Sequence, residues 1–336
     1  MLDLGVVIVN WNVRDLLAAC LDSVYADLAG SGLRASVVVV DNASQDGSAE
    51  MLAAQFPRTR LIQAANRGMG AGNNLGLRAL GLGRGAIPAQ APFAALVLNP
   101  DTIIQVGALR ILVDFLRQNS KAAVVAPRLF NPDGSLQHAG FRFPGLVQAA
   151  FDLFPPQGRL ARLSDSPLNG RYPAGAYAGG PFQVDHTLGA AFAVRGEALR
   201  DDDLFDEIFP MYCEEIDAHW RLRRHGWQVW IAPAARVIHL GGRSTQQAPN
   251  RSFVQLWSSR RRLYQRYHNP VTLAATRAMV GLALRGRIRA NHQLSLAGTL
   301  TADERAARNA ALSAAIRAWQ GRRPLPLDEW TNEGIG

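Results

Sequence analysis

Short apolar runs and amphipathic segments alternate through the first hundred residues. Leu4-Gly5-Val6-Val7-Ile8-Val9 is unbroken and β-branched, the pattern of a strand buried on both faces in a parallel sheet. Asn10-Trp11-Asn12 ends it, and from Val13 to Tyr25 the positions Leu16, Leu17, Cys20, Leu21 and Val24 recur at helical spacing. Val37 to Val40 reads as a second strand, halted by the polar stretch from Asp41 to Ser48, with a helix over Ala49 to Phe56 capped by Ser48. Leu61-Ile62 begins a third strand. A glycine-rich stretch from Asn66 to Gly76 leads into a helix expected to begin near Asn73, and a fourth strand, Ala94 to Leu98, is closed by Asn99-Pro100-Asp101. Strands alternating with helices, each strand ending in polar loops, predict a doubly wound α/β sheet with its ligand along those ends.

Further along, residues 141–185 are rich in Gly, Pro and aromatics, as in Phe154-Pro155-Pro156 and the run from Tyr172 to Pro181. That is loop chemistry, read either as an acceptor-specificity loop or as a plain surface excursion. From Arg251 the pattern is helical, with Phe253, Leu256, Trp257, Leu263 and Tyr264 on one side. Val271 to Leu284 is nearly all apolar, too short to span a bilayer, and flanked or interrupted by Arg277, Arg285, Arg287 and Arg289. Such a segment either lies in a membrane interface or packs on the preceding domain. The expected organisation is a sheet domain over 1–245, a helical extension over 246–320 and a tail over 321–336.

At 336 residues and 48% hydrophobic content, the chain can bury a full core. No signal-peptide pattern opens it and no uncharged apolar run reaches spanning length, so a cytoplasmic protein is expected. Cys20 and Cys213 lack metal-site spacing and read as buried thiols. The net charge of +9 is almost entirely arginine, Lys121 being the only lysine. Arginine binds phosphate bidentately, which points to an anionic partner, although base bias in the coding sequence yields the same composition. The basic residues lack the aromatic interleaving of a nucleic-acid module, so a phosphorylated substrate or an anionic membrane surface fits instead of nucleic acid.

Candidate chemistry sits in the strand-end loops and in Glu214-Glu215-Ile216-Asp217. Three carboxylates at a helix start are favourable there simply through the helix dipole. Glu214 and Glu215 also point about 100° apart, so one can serve the scaffold while the other faces a cleft as a proton acceptor. Asp41 is either a turn former or a hydrogen-bond acceptor for a nucleobase stacked near Trp11, and Asp101 is either an Asx turn or an oxygen ligand for a divalent metal. Gly68, Gly70 and Gly72 allow close backbone approach of a ligand. A dinucleotide fingerprint is excluded, because it belongs after the first strand, where Asn10-Trp11-Asn12 stands.

Taken in order, these loops resemble the family 2 glycosyltransferases of GT-A fold, in particular the rhamnosyltransferase and galactofuranosyltransferase branch. The matching segments run from Val7 to Asn12, Val40 to Ser48, Asn66 to Gly76, Leu98 to Asp101, Pro127 to Ser135, Gly189 to Arg195, Phe205 to Glu207 with Glu214 to Asp217, and His239 to Gly242. The resemblance implies a GT-A type mixed sheet flanked by helices, with a C-terminal helical extension, and makes 1–245 a catalytic domain with its donor half at about 1–125 and its acceptor half at about 126–245. It implies a donor site formed by Asn10, Trp11, Asp41, Asn42, Asn66, Gly68, Asn74, Asn99 and Asp101, for a donor of the dTDP-rhamnose or UDP-hexose type. Asp101 is the last acid of the family's D-x-D motif, with Asn99 at the first acid position, and Asp101 with His239 would hold Mn²⁺ or Mg²⁺. Glu215 takes the place of the family's catalytic base, usually Asp, with Glu214 as its neighbour and Gly189, Ala190 and Asp217 on the acceptor side. The implied reaction is inverting sugar transfer to a glycan or lipid-linked acceptor in cell-surface polysaccharide synthesis, by an enzyme peripheral at the inner face of the plasma membrane. Asn99 and Glu215 keep a second reading open, a nucleotide-sugar-binding or scaffold protein without turnover.

Overall fold

Every residue of β1 (Leu4–Asn10) is buried, because parallel neighbours flank it and helices cover it. β2 (Ala35–Asp41) and β4 (Ala94–Leu98) pair with it in parallel, and β3 (Arg60–Gln63) pairs with β2. The register sets Asn10 beside Asp41 and Ile8 beside Leu98, so the polar residues ending these strands share one edge of the sheet. β11 (Ala191–Arg195) runs antiparallel to β4 with Ala191 opposite Leu98, which carries Gly189 and Ala190 to that edge as well. Beyond it follow β6 (Ala122–Phe130), β12 (Gln228–His239) and β5 (Thr102–Ile104), in the full order β3-β2-β1-β4-β11-β6-β12-β5. β12 and β5 are antiparallel with His239 opposite Thr102, and Leu240 N–H donates to the Asp101 carbonyl at 2.9 Å. β7 (Leu136–Gln137) adds to β6 and β9 (Phe182–Val184) to β12, while β8 (Gly140–Phe141) and β10 (His186–Thr187) form a separate pair. The doubly wound mixed sheet expected from the sequence is present.

The computed structural model describes residues 2–86, 91–200, 202–241 and 248–321. Their contacts group into two units, one built on the sheet and one containing residues 144–170, 211–213 and the C-terminal helices. Residues 144–170, read from sequence as part of the acceptor half, thus belong with the helices. Of the expected tail only Gly321 is described, and Gly242 of the last matching segment also lies outside the described residues.

In the sheet unit, α1 (Arg14–Ser31), α2 (Ser48–Gln55), α3 (Met69–Ala79), α4 (Ala108–Gln118) and α6 (Glu214–Arg224) accompany the strands. Two local expectations change. Ser48 is the first residue of α2 and not its cap; Gly47 precedes it in left-handed backbone, and the Asp46 carboxylate accepts from Ser48 N–H and Oγ–H at 3.1 and 2.5 Å. α3 begins at Met69, four residues before Asn73, and its glycines seat it on the sheet. A Cβ at Gly72 would lie 2.9 Å from Val9 Cγ1, and one at Gly76 only 2.4 Å from Val7 Cγ1. Those two glycines face β1, so the close approach they permit is that of a helix to a strand. α4 is satisfied at both ends by buried charge: Asp27 of α1 accepts from the N–H groups of Gly107 and Leu109, and Arg195 of β11 donates to the carbonyls of Leu116 and Asn119. Each side chain carries the charge that complements the helix dipole at its end.

The helical unit contains α5 (Leu146–Leu153), α7 (Pro249–Tyr267), α8 (Pro270–Leu296) and α9 (Ala302–Trp319). Proline opens α7 and α8, where its missing N–H is no loss, and Thr301 with Glu304 forms a capping box on α9. Trp257, Tyr264, Val280, Leu284, Leu312, Ile316 and Trp319 make its core, and the Trp319 indole donates to the Trp257 carbonyl at 2.8 Å. The basic segment from Val271 buries Val280, Ala283 and Leu284 against these helices but leaves Val271 and Leu282 at 78% and 66% exposure. None of the described helices is long and apolar enough to cross a membrane.

In an open helical position Gly→Ala stabilises by roughly 1 kcal/mol. Gly76→Ala should do the opposite, destabilising by about 1–3 kcal/mol through overpacking against Val7. Urea unfolding followed by circular dichroism measures the sign, and a stabilised variant would contradict this seating of α3 on β1.

Candidate active site

The donor-side loops are tied together by buried amide and carboxylate groups. Asn10, fully buried at the end of β1, donates through Nδ2 to Asp41 Oδ1 at 2.9 Å and to Ser44 Oγ at 3.1 Å. Asp41 Oδ2 accepts from Ser44 N–H at 3.0 Å, so each of its oxygens has one protein donor and Asp41 is held at 2% exposure. Asn42 Nδ2 reaches the Gly68 carbonyl at 3.4 Å, and Asn66 Oδ1 accepts from Gly68 N–H at 3.1 Å. Trp11 follows β1 partly buried. The structure thus brings Asn10, Asp41, Asn42, Asn66 and Gly68 together. Asn74 stands apart: its carboxamide is fully engaged, donating to the Phe205 carbonyl at 2.8 Å and accepting from Phe205 N–H at 3.1 Å. At Gly68 (φ +98°) a Cβ would fall 2.1 Å from the Pro210 carbonyl oxygen, and Met69 N–H donates to that oxygen at 2.8 Å. The space beside Gly68 is therefore filled by main chain.

A second cluster forms around Asn99 and Asp101. Asn99 N–H donates to the Ala190 carbonyl at 2.8 Å, and the Asn99 carbonyl accepts from Thr102 Oγ1 at 2.7 Å. The Cys20 thiol lies beneath this loop, 3.6 Å from Thr102 Oγ1, and burial pushes its pKa up to about 12. It is an inert packing thiol, and Cys213 is likewise buried and in no disulfide. The β5–β12 pairing sets Asp101 Oδ1 3.4 Å from His239 Nε2, while His239 Nδ1 lies 2.8 Å from Gln137 Oε1. With Nδ1–H donating to Gln137, Nε2 turns its lone pair toward the Asp101 carboxylate. Two electron-rich atoms facing each other across such a gap suit a shared cation, and a mixed oxygen and nitrogen pair accepts Mn²⁺ readily. Among the described residues no group of three or more His, Cys, Asp and Glu side chains gathers for a metal, so phosphate and water oxygens would have to complete the coordination. Asp101 and His239 fit a divalent ion on those terms.

The carboxylate pair opens α6. Tyr212 and Cys213 just before it, like Asn12 and Ala43 after β1 and β2, have φ between 51° and 68°; among the described residues these are the four non-glycine positions with left-handed backbone. Each such residue costs of order 1–3 kcal/mol, and strain of this kind gathers at functional loops. The two acids diverge as their helical spacing requires. Glu215 lies over Gly189, whose Cβ position would be 3.6 Å from Glu215 Cγ and Cδ, and Gly189 precedes the Ala190 that holds Asn99. Glu214 turns toward α3, with its Cβ 3.8 Å from the Cβ position of Gly70. Its Oε2 is sealed from solvent with no hydrogen-bond partner.

Burial raises both pKa values. Glu215 moves up to about 7, its desolvation outweighing the α6 N–H groups of Glu215 and Ile216 that favour the anion. Glu214 is pushed well above the carboxylate range by burial and then by the charge of Glu215. Both carboxyls are therefore shifted toward the neutral form, Glu215 into the range where it can gain or lose a proton near neutral pH, as a general base requires. Asp217, expected on the acceptor side, is fully buried and bound to Arg221 Nε at 2.9 Å. That pair faces the interior, because position 217 lies on the side of α6 turned to the sheet.

Three residues here were not read from the sequence. Ser44 anchors both Asn10 and Asp41, Gln137 orients His239, and Thr187 N–H donates to the buried His219 Nδ1 at 3.3 Å on the same helix as Glu215. Gln137 and His239 are 102 positions apart, and no local pattern marks a partner found only through strand pairing.

Residues 5–163 match the model of glycosyl transferase family 2. An N-acetylglucosaminyl-diphospho-decaprenol L-rhamnosyltransferase of Mycobacterium tuberculosis is 28% identical over 228 residues, covering 64% of this chain and 69% of the relative. The low-salt glycan biosynthesis hexosyltransferase Agl10 of Haloferax volcanii is 24% identical over 238 residues, covering 70% of this chain and 67% of its own length. Among solved structures, GalNAc-T7 with UDP, GalNAc and Mn²⁺ superposes with a TM-score of 0.50 at 16% identity; the match takes in 71% of this chain and 43% of that one. The strand order, the loops on one sheet edge and these likenesses agree: the chain has a GT-A fold, and residues 5–163 of it are similar to glycosyl transferase family 2.

Proposed function

We propose that this chain transfers rhamnose or another hexose from a nucleoside-diphosphate donor to a lipid-linked glycan acceptor, by a single displacement that inverts the anomeric centre. The sugar and acceptor classes rest on the names of the relatives. The mechanism rests on one observation: Glu215, with its pKa raised to about 7, lies over the Gly189-Ala190 step that is hydrogen-bonded to Asn99, two residues from Asp101. This position supports reading Glu215 as a base on the acceptor side of the loop that would carry the diphosphate. The loops bearing Asn10, Trp11, Asp41 and Asn42 are assigned to the nucleoside end of the donor.

In the proposed reaction Glu215 takes the proton of the acceptor hydroxyl as its oxygen attacks the anomeric carbon. The bond from that carbon to the diphosphate oxygen breaks on the opposite side. Burial and then the charge of Glu215 push Glu214 toward its neutral form, which lessens the negative charge beside the base. Asp101 and His239 would hold a divalent ion, which when bound stabilises negative charge on the departing diphosphate. Gln137 fixes the imidazole so that Nε2 faces Asp101. The acceptor's lipid end would lie at the anionic inner surface of the plasma membrane.

Glu215→Gln keeps the shape of the base and removes its basicity. Single-turnover transfer at saturating donor should fall roughly 10²- to 10⁴-fold while donor affinity persists. In the native chain the rate should drop about tenfold per pH unit below about 7, as Glu215 becomes protonated. Normal turnover by Glu215→Gln would remove it as the base, and a native chain that binds donor without turnover would favour the scaffold reading.

Glu214→Gln should change turnover little and stability in a defined direction. A carboxyl whose folded pKa lies above its unfolded value weakens the fold as pH rises past the unfolded value. The glutamine variant should therefore melt at an equal or higher temperature near pH 8, and lose that advantage toward pH 4. A lower melting temperature near pH 8 would show that Glu214 is ionised and paired in the native state.

Gln137→Leu should weaken Mn²⁺-supported donor binding by roughly 10- to 100-fold, the usual effect of removing the hydrogen bond that orients a metal-bound histidine. Asp101→Ala and His239→Ala should lose it more completely. Calorimetry with and without chelator is the test, and donor affinity indifferent to chelator in the native chain would take the metal out of the mechanism.

A further inference from the structure

Within the helical unit, α7, α8 and the end of α9 enclose a cavity of about 560 Å³. Its floor is apolar, with Leu273, Ile316 and Trp319, and three guanidinium groups line it: Arg261, Arg277 and Arg285. None of the three forms an ion pair with a described residue. Arg261 is held below its ordinary pKa by burial and then by the like charge of Arg277. Gly281 is part of this arrangement, since a Cβ there would lie 3.1 Å from Arg285 Nη1, so the missing side chain leaves room for that guanidinium to fold back along α8.

Cations gathered without counter-charges are unfavourable unless an anion joins them, and guanidinium forks suit phosphate oxygens. The apolar floor adds a second requirement, because a free inorganic anion would gain nothing from Leu273 and Ile316. The exposed side of α8 extends the same chemistry. α8 contains no Asp or Glu, and it presents Val271 and Leu282 to solvent near Arg277 and Arg285. We infer that this cavity is a binding site for the phosphate-bearing head of an anionic lipid, with the arginines on the phosphate and the floor and outer face of α8 on the first part of the acyl or prenyl chain. The site lies wholly in the helical unit and does not depend on the transfer chemistry proposed above.

The test uses the full chain without nucleotide sugar or metal, so its outcome leaves the transferase reading untouched. Co-flotation is measured with phosphatidylcholine vesicles with and without phosphatidic acid, and with inorganic diphosphate as competitor. Binding is expected only to the vesicles that contain phosphatidic acid. Arg277→Gln combined with Arg285→Gln should weaken it by roughly tenfold or more, given about 1 kcal/mol per basic residue at such a surface. Both side chains are exposed, so this variant should keep its fold, which its melting curve verifies. The charge-matched pair Arg289→Gln with Arg317→Gln, outside the cavity, should lose much less. Equal loss in the two pairs would mean diffuse attraction and overturn the site. Diphosphate binding without vesicle binding would overturn the lipid assignment, and no binding of either probe would overturn both.

Discussion

The contact on which the candidate site depends is between two stretches of main chain. Gly68 meets the Pro210 carbonyl so closely that no side chain fits, and Met69 N–H closes a hydrogen bond to the same oxygen. Asn74 repeats the link one helical turn further on, with two hydrogen bonds to the Phe205 backbone. One end of this clamp carries the loop that touches Asn42, and the other is the segment leading to Glu214 and Glu215. The loop beside Asn42 and the segment that precedes Glu214, well over a hundred residues apart in sequence, are therefore joined by backbone rather than by long side chains. Such a link loses little to side-chain entropy.

Burial then does at the carboxylates what sequence could not reveal. Adjacent glutamates at a helix start look equivalent, and the helix dipole alone would lower both pKa values. In the folded chain desolvation is the larger effect, and it acts unequally. Glu214 has an oxygen with neither water nor a donor, whereas Glu215 keeps the two N–H groups of the first turn. Environment thus acts differently on the two carboxyls, the usual route by which identical side chains acquire distinct roles.

The parts of the fold set by local periodicity were legible in the sequence. β1, β2 and β4 announce themselves as β-branched runs ended by polar residues, and parallel register alone then brings Asn10, Asp41 and Asn99 to one edge. Antiparallel insertion of β11 between β4 and β6 was not legible, although it delivers Gly189 and Ala190 to the site. The glycines between Gly68 and Gly76 show the limit most clearly. A glycine reports that something comes close, without reporting whether it is a ligand, a carbonyl or a valine; here Pro210, Val9 and Val7 are the neighbours. Asp217 shows a related limit. Its spacing from Glu214 and Glu215 puts it on a different side of α6, and only the packed structure shows that side to be the interior, with Arg221 as partner.

Asn99 stands where the family motif begins with an acid, and its main chain ties down the loop whatever side chain that position carries. Its N–H is committed to Ala190 and its carbonyl to Thr102, so the loop holds its shape without any metal bound to the residue 99 side chain. Charge supports the same conclusion. In the proposed reaction a second carboxylate beside Asp101 would add repulsion to a pocket that also receives a diphosphate, while the His239 imidazole would contribute a nitrogen donor. Asp101, His239 and the phosphates of the donor would then share one cation, so that metal and donor would each be held more tightly in the presence of the other.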